Sequence, residues 1–173
     1  MTNWGILGTG NIAKTFALAI KETNESALLA VGSRSKDSAD LFASNYNCIG
    51  LDNYQKLLDN KDINAVYIST PHTSHFEFSY KALMNGKSVL CEKPLTMNSS
   101  EAMLLFNLAK KKQLLLMEAF MYRMHPQTDK IRELVQENFE GKKIEIKASF
   151  GFEAKVKKDH RLLNPKLGGG SIL

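Results

Sequence analysis

Five short apolar runs, at residues 4–7, 27–31, 65–69, 88–91 and 114–117, are continuous rather than alternating. A strand that is apolar on both sides must be covered on both, which is the condition of a strand inside a parallel sheet flanked by helices. The intervals between the runs carry helical spacing. Ile12, Phe16 and Ile20 recur every four residues, and Ala39, Phe42, Ala43 and Tyr46 follow the pattern of an amphipathic helix, as do Phe76, Tyr80, Leu83 and Met84. Gly86 is placed to end that third helix, and Asn98 with Glu101 forms a capping box for a fourth that buries Ala102, Leu105, Phe106 and Ala109. This alternation predicts an α/β fold, a Rossmann-type doubly wound parallel sheet with right-handed crossovers.

After residue 117 the character changes. Residues 129–139 read as a helix with Ile131, Leu134 and Val135 inward, and residues 142–150 alternate strictly, placing Ile144, Ile146, Ala148 and Phe150 on one face. Period-two alternation predicts a strand covered on one side only. A dinucleotide-binding domain of residues 1–120 is therefore expected, followed over 121–173 by the start of an incomplete α+β domain.

Composition limits the partners. The 173 residues are 43% hydrophobic and 24% charged, with 23 basic and 18 acidic side chains for a net charge of +5. This suits an anionic ligand but supplies no basic stripe for nucleic acid. Lys110, Lys111 and Lys112 fall where a helix should end, a favourable place for cations on a solvated surface. Cys48 and Cys91 are far apart, no leader segment is visible, and the apolar runs are too short to cross a membrane. A cytoplasmic protein is expected.

Gly8, Thr9, Gly10, Asn11, Ile12 and Ala13 form G-x-G-x-x-A directly after the first run and at the opening of the first helix. Gly8 permits a tight turn, Gly10 removes the side chain that would block a diphosphate, and Ala13 allows close packing of helix on strand. The helix N-terminus offers unpaired N–H groups to the phosphates. The end of the second run reads Gly32, Ser33, Arg34, Ser35 instead of carrying the acid that holds the ribose hydroxyls in NAD-selective sites. Arg34 can pair with a 2′-phosphate and Ser33 or Ser35 can donate to it, so NADP is expected ahead of NAD, with Asp37 as a weaker candidate for ribose contact.

Thr70, Pro71, His72 and His75 follow the third long run, on the edge where ligands bind in such sheets, and are read as lining the cofactor. The two histidines lie three apart, but no Cys, Asp or Glu gathers with them at ligand spacing, so no metal is expected. Glu92, Lys93 and Pro94 follow the fourth run. Lys93 there faces the place where nicotinamide and substrate meet, and an amine so placed can exchange a proton with an alcohol or carbonyl.

The segments GILGTGNIA (5–13), EKP (92–94), EAFMYRMHP (118–126) and LGGGSIL (167–173) occur in the order found in the Gfo/Idh/MocA oxidoreductases, and the chain resembles that family throughout. The likeness is strongest to the branch of dihydrodiol and NADP-dependent xylose dehydrogenases. The resemblance implies that Lys93 positions the reacting hydroxyl and moves its proton, and that Glu92 lies beside the nicotinamide ribose. It implies a place near the cofactor for Arg123 and Pro126, a cis peptide before Pro94, and a homo-oligomer formed through the C-terminal sheet. In the family the glycine-rich segment leads into a helix bearing an Asp and, one turn on, a His or Tyr. Those positions lie past Leu173, so an N-terminal fragment of a longer reductase, or the product of an interrupted gene, is expected. The activity implied is hydride transfer between NADP and a sugar, polyol or dihydrodiol. The alternatives are a dinucleotide-binding fragment without turnover, and a sensing or partner-binding module that uses the face of residues 144–150.

Overall fold

The computed structural model describes residues 1–139, 141–149, 151 and 163–165. Six strands form one sheet: β1 (Thr2–Leu7), β2 (Ser26–Gly32), β3 (Ile49–Leu51), β4 (Ala65–Ile68), β5 (Ser88–Cys91) and β6 (Leu116–Glu118). All pairings are parallel and the order is β3-β2-β1-β4-β5-β6. This is the doubly wound dinucleotide-binding order, whose direction of winding reverses between β1 and β4.

Helices α1 (Asn11–Lys21), α2 (Lys36–Tyr46), α3 (Tyr54–Asp59), α4 (His75–Met84) and α5 (Ser99–Lys112) cover the sheet. Side chains alternate along a strand, so each strand feeds both faces. Ile6, Val31 and Tyr67 pack with Ala13 and Ala17 of α1 and Phe42 and Ala43 of α2. Leu7, Val66, Ile68 and Val89 pack on the other side with Leu57, Leu58, Leu83, Leu105 and Ala109 from α3, α4 and α5. Ser35 caps α2 by accepting from the Ser38 N–H, and Asn98 caps α5 by accepting from the Glu101 N–H at 3.0 Å.

The helix faces differ in part from the apolar spacing. α1 buries Ala13, Ala17 and Ile20 while Ile12 is partly exposed. α4 buries His75, Ser79, Ala82 and Leu83, leaving Tyr80 and Met84 outward. Both helices approach the sheet through small residues, and a search for large apolar side chains passes over Ser79 and Ala82. Phe106 of α5 is also exposed.

Beyond β6 a 3-10 turn (Met121–Met124) leads into α6 (Pro126–Phe139), in which no residue is buried. Ile131 and Leu134, expected inward, are exposed. Residues 143–149 form no strand, contrary to their alternation, and Ile144 and Ile146 are exposed. A strand needs a hydrogen-bonding neighbour, and the described residues offer this segment none. Phe150 and the segment 167–173 lie outside the described residues. Among the described residues no helix is long and apolar enough to cross a membrane.

Cys91, wholly buried at the end of β5, has its thiol pushed up to about 12 by burial from an ordinary value of 9.0. The unfolded chain therefore loses this proton first. Stability from this group is intact below about pH 9 and falls by about 1.4 kcal/mol per pH unit above it, because the unfolded state then binds fewer protons. Tyr67 titrates in the same direction at higher pH. Urea midpoints at pH 8 and pH 10 should show the decline, and Cys91→Ala should make it shallower; equal slopes in the two proteins would contradict it.

Candidate functional site

The carboxyl edge of the sheet gathers four loops. At the first, Gly8 adopts φ +109°, and a Cβ there would stand 2.9 Å from Ser69 Oγ and 3.0 Å from the Ser69 carbonyl oxygen. Only glycine fits this bend between β1 and β4. The Gly8 N–H donates to Gly32 O at 2.9 Å, and the Ser69 N–H donates to Leu7 O at 2.9 Å, fixing the turn from both neighbouring strands. Gly10 is different: a Cβ there would meet nothing within 4 Å. It faces open space at the start of α1, a helix whose N-terminus has neither a side-chain cap nor an acid in its first turn. Unpaired N–H groups and the positive end of the helix dipole are therefore presented at an open, exposed corner of the sheet edge. Thr9, Gly10, Asn11 and Ile12 make up this corner.

At the end of β2, Ser33 is buried, its N–H donating to Leu51 O at 2.9 Å and its Oγ accepting from the Ser35 N–H at 3.3 Å. Arg34 is exposed and lines a cleft of about 490 Å³ with Ser33, Asp52, Asn53, Tyr54 and Lys81. Tyr54 is half-buried, and burial raises its phenol above the usual range while Arg34 opposes that rise. Asp52 is held below the usual carboxylate range by its hydrogen bond to Lys56, at 2.9 Å. Asp37 falls in the first turn of α2.

The loop after β4 carries Thr70, Pro71 and His72, with a 3-10 turn (His72–Ser74) before α4. Ser74 Oγ donates to Thr70 Oγ1 at 2.8 Å and so ties the loop to itself. His75 departs from expectation. It has no solvent exposure, and its Nδ1 and Nε2 stand 2.7 Å from Pro94 O and 2.8 Å from Thr70 O. The imidazole is thus an interior post between two loops, with no polar atom left to face a ligand.

The loop after β5 holds Glu92, Lys93 and Pro94, with a cis bond between the last two. Tyr67 donates its hydroxyl to Glu92 Oε1 at 2.7 Å. Burial, and then that hydrogen bond, keep the phenol protonated far above its ordinary range. Among the described residues, Glu92 is the one charged group lining an apolar cleft of about 340 Å³ with Ile12, Phe16, Met117, Phe120 and Met121. Lys93 is exposed on the turn. Glu118, at the end of β6, accepts the Leu95 N–H at 2.8 Å. Arg123 is exposed on the following 3-10 turn.

Sequence reasoning passed over Tyr67 and Glu118. Tyr67 sits within a continuous apolar run and reads as core; Glu118 is an acid closing another such run, and that position was the available signal.

The Gfo/Idh/MocA family, an oxidoreductase family with an NAD-binding Rossmann fold, matches over residues 2–120. The chain belongs to this family. Among curated relatives, this Gfo/Idh/MocA chain is 34% identical over 175 residues to a trans-1,2-dihydrobenzene-1,2-diol dehydrogenase of Xenopus tropicalis, covering 99% of the chain and 52% of the relative. It is 37% identical over 170 residues to a dTDP-3,4-didehydro-2,6-dideoxy-alpha-D-glucose 3-reductase of Saccharopolyspora spinosa, covering 98% and 51%. A solved 3-ketoreductase from Actinomadura kijaniata, in complex with TDP-benzene and NADP, superposes with a TM-score of 0.76 at 34% identity, covering 80% of this chain and 44% of that one. The chain spans about half the length of the curated relatives it matches.

Proposed function

We propose that this chain binds a nicotinamide dinucleotide, NADP ahead of NAD, and serves a dehydrogenase or reductase acting on a sugar, polyol or dihydrodiol. The observation that carries the reading is the pair of glycines. Gly8 makes a bend no other residue fits, and Gly10 leaves bare space before the uncapped N-terminus of α1. A diphosphate matches that uncapped helix start in charge, and the open space at Gly10 leaves it room to approach.

In this reading the N–H groups of Asn11 and Ile12, with Thr9, hold the diphosphate. Ser33 and Arg34 hold the 2′-phosphate, in a cleft whose half-buried Tyr54 adds an aromatic wall. Thr70, Pro71 and His72 line the path of the dinucleotide, Glu92 accepts from the nicotinamide ribose, and Arg123 closes the site from the β6 side. When bound, the nicotinamide supplies a carbon that accepts or gives up hydride. Tyr67 holds the Glu92 carboxylate in one orientation, and Lys93 Nζ takes the proton from the substrate hydroxyl, or returns it to the carbonyl. Residues 1–120 form the dinucleotide-binding domain and 121–173 begin a substrate domain. The whole protein is a cytoplasmic homo-oligomer assembled through that second domain, consistent with the exposed apolar side chains Ile131, Leu134, Ile144 and Ile146.

Calorimetry with NADPH and NADH tests the cofactor reading. NADPH should bind more tightly, and Arg34→Ala should weaken it about tenfold, or about 1.4 kcal/mol, while NADH changes by less than about twofold. Equal losses for the two cofactors would remove Arg34 from 2′-phosphate recognition. The half-length match to the relatives favours a second reading, binding without turnover. Reduction of NADP by the 173-residue chain with sugars or dihydrodiols would exclude it.

A further inference from the structure

The two loops that leave β4 and β5 are joined by one side chain. His75, the first residue of α4 and wholly buried, reaches the Thr70 carbonyl with Nε2 at 2.8 Å and the Pro94 carbonyl with Nδ1 at 2.7 Å. Pro94 directly follows Lys93. The same turn is gripped on its other sides: the Glu92 N–H donates to Ile68 O at 2.9 Å, and the Leu95 N–H donates to Glu118 Oε1 at 2.8 Å. Every residue flanking Lys93 is therefore tied to a different part of the scaffold, while Lys93 itself is exposed. A neutral imidazole carries one N–H, so the ring donates to one of these carbonyls and packs against the other. Losing it leaves a buried carbonyl without its donor and removes the spacer between the two loops, which lets the turn drift.

We propose that His75 is a positioning residue for Lys93: by standing between the Thr70 and Pro94 carbonyls, hydrogen-bonded to one and packed against the other, it fixes where the lysine amine stands relative to the bound nicotinamide. The inference rests on the assignment of Lys93 to the nicotinamide end of the cleft. A reacting amine displaced by about 1 Å loses much of its effect, so such a second layer of support matters for catalysis.

The test uses NMR of the 173-residue chain with its lysines carrying 13C-dimethyl labels, the Lys93 and Lys14 signals being assigned by Lys93→Arg and Lys14→Arg. In the wild type, saturating NADP should displace the Lys93 signal, and that of Lys14, which is four residues past Gly10 on α1 and shares a cleft with Thr9. In His75→Leu, which refills the space without offering a donor, the Lys93 displacement should fall at least twofold while that of Lys14 is retained. His75→Gln, able to donate to one carbonyl but without the rigid ring that spaces the second, should fall between the two. A His75→Leu response matching the wild type would mean that the ring merely fills space. A His75→Gln response matching the wild type overturns the proposal even where His75→Leu does not fold. A wild-type Lys93 signal unmoved while Lys14 responds would defeat the assignment of Lys93, and this inference with it; silence from both lysines would defeat the cofactor reading itself.

Discussion

Lys93→Ala is expected to slow NADP reduction by sugar or dihydrodiol substrates about 10²- to 10⁴-fold, the usual worth of a positioned acid or base. Its effect on the fold should be small. Lys93 is exposed and the turn that bears it is anchored through Glu92, Pro94 and Leu95, whose ties run through backbone groups that the substitution leaves in place. Melting should stay within about 0.5 kcal/mol of the wild type, as for other surface truncations, and NADPH affinity within about twofold. Initial rates at saturating cofactor decide the matter. A rate constant equal to the wild type's would show that proton transfer runs through another group, whatever the position of the amine.

The two glycines of the first turn should separate stability from binding. At Gly8, alanine meets a backbone conformation that side chains rarely adopt, and its methyl collides with Ser69 at 2.9 to 3.0 Å. Strain and overpacking together should cost about 2–4 kcal/mol, read as a lowered urea midpoint. At Gly10 the backbone, with φ −71°, is ordinary and the space is open. Gly10→Ala should therefore leave the midpoint unchanged or slightly raised, while weakening NADPH at least tenfold, because the methyl stands where the proposed function puts the diphosphate. Undiminished NADPH affinity in Gly10→Ala would place the phosphates elsewhere and overturn the cofactor reading.

The sheet was legible because its signal is local. Each of the five apolar runs needed only its own residues to be read, and the glycine turn needed only its neighbours. β3 and α3 were not seen: Ile49–Leu51 is three residues with a central glycine, and Tyr54–Asp59 is under two turns, both too short for a period to emerge. Their places are set by distant partners. A Cβ at Gly50 would lie 2.8 Å from the Ala39 carbonyl, so this glycine marks the close packing of α2 on β3. The site divides in the same way. The positions of Gly8, Arg34 and Lys93 just past strand ends could be read from local sequence, whereas the pairings Tyr67 with Glu92 and His75 with Pro94 join residues 25 and 19 apart in sequence. The alternation of residues 142–150 pointed to a strand, but alternation specifies a face and supplies no neighbour.

The strand order has a consequence for how the polypeptide is made. β1 leaves the ribosome well before β4, yet only β4 completes its second edge, with Trp4 aligned to Ala65 and Leu7 to Ile68. Until residue 68 has emerged, the nascent chain carries an apolar strand open on one side, and closing that long loop is entropically slow. The centre of the sheet, and the glycine turn it supports, cannot be finished during early synthesis. The interval before β4 arrives is therefore one in which the growing chain shows an unpaired apolar strand edge, the kind of surface that favours aggregation.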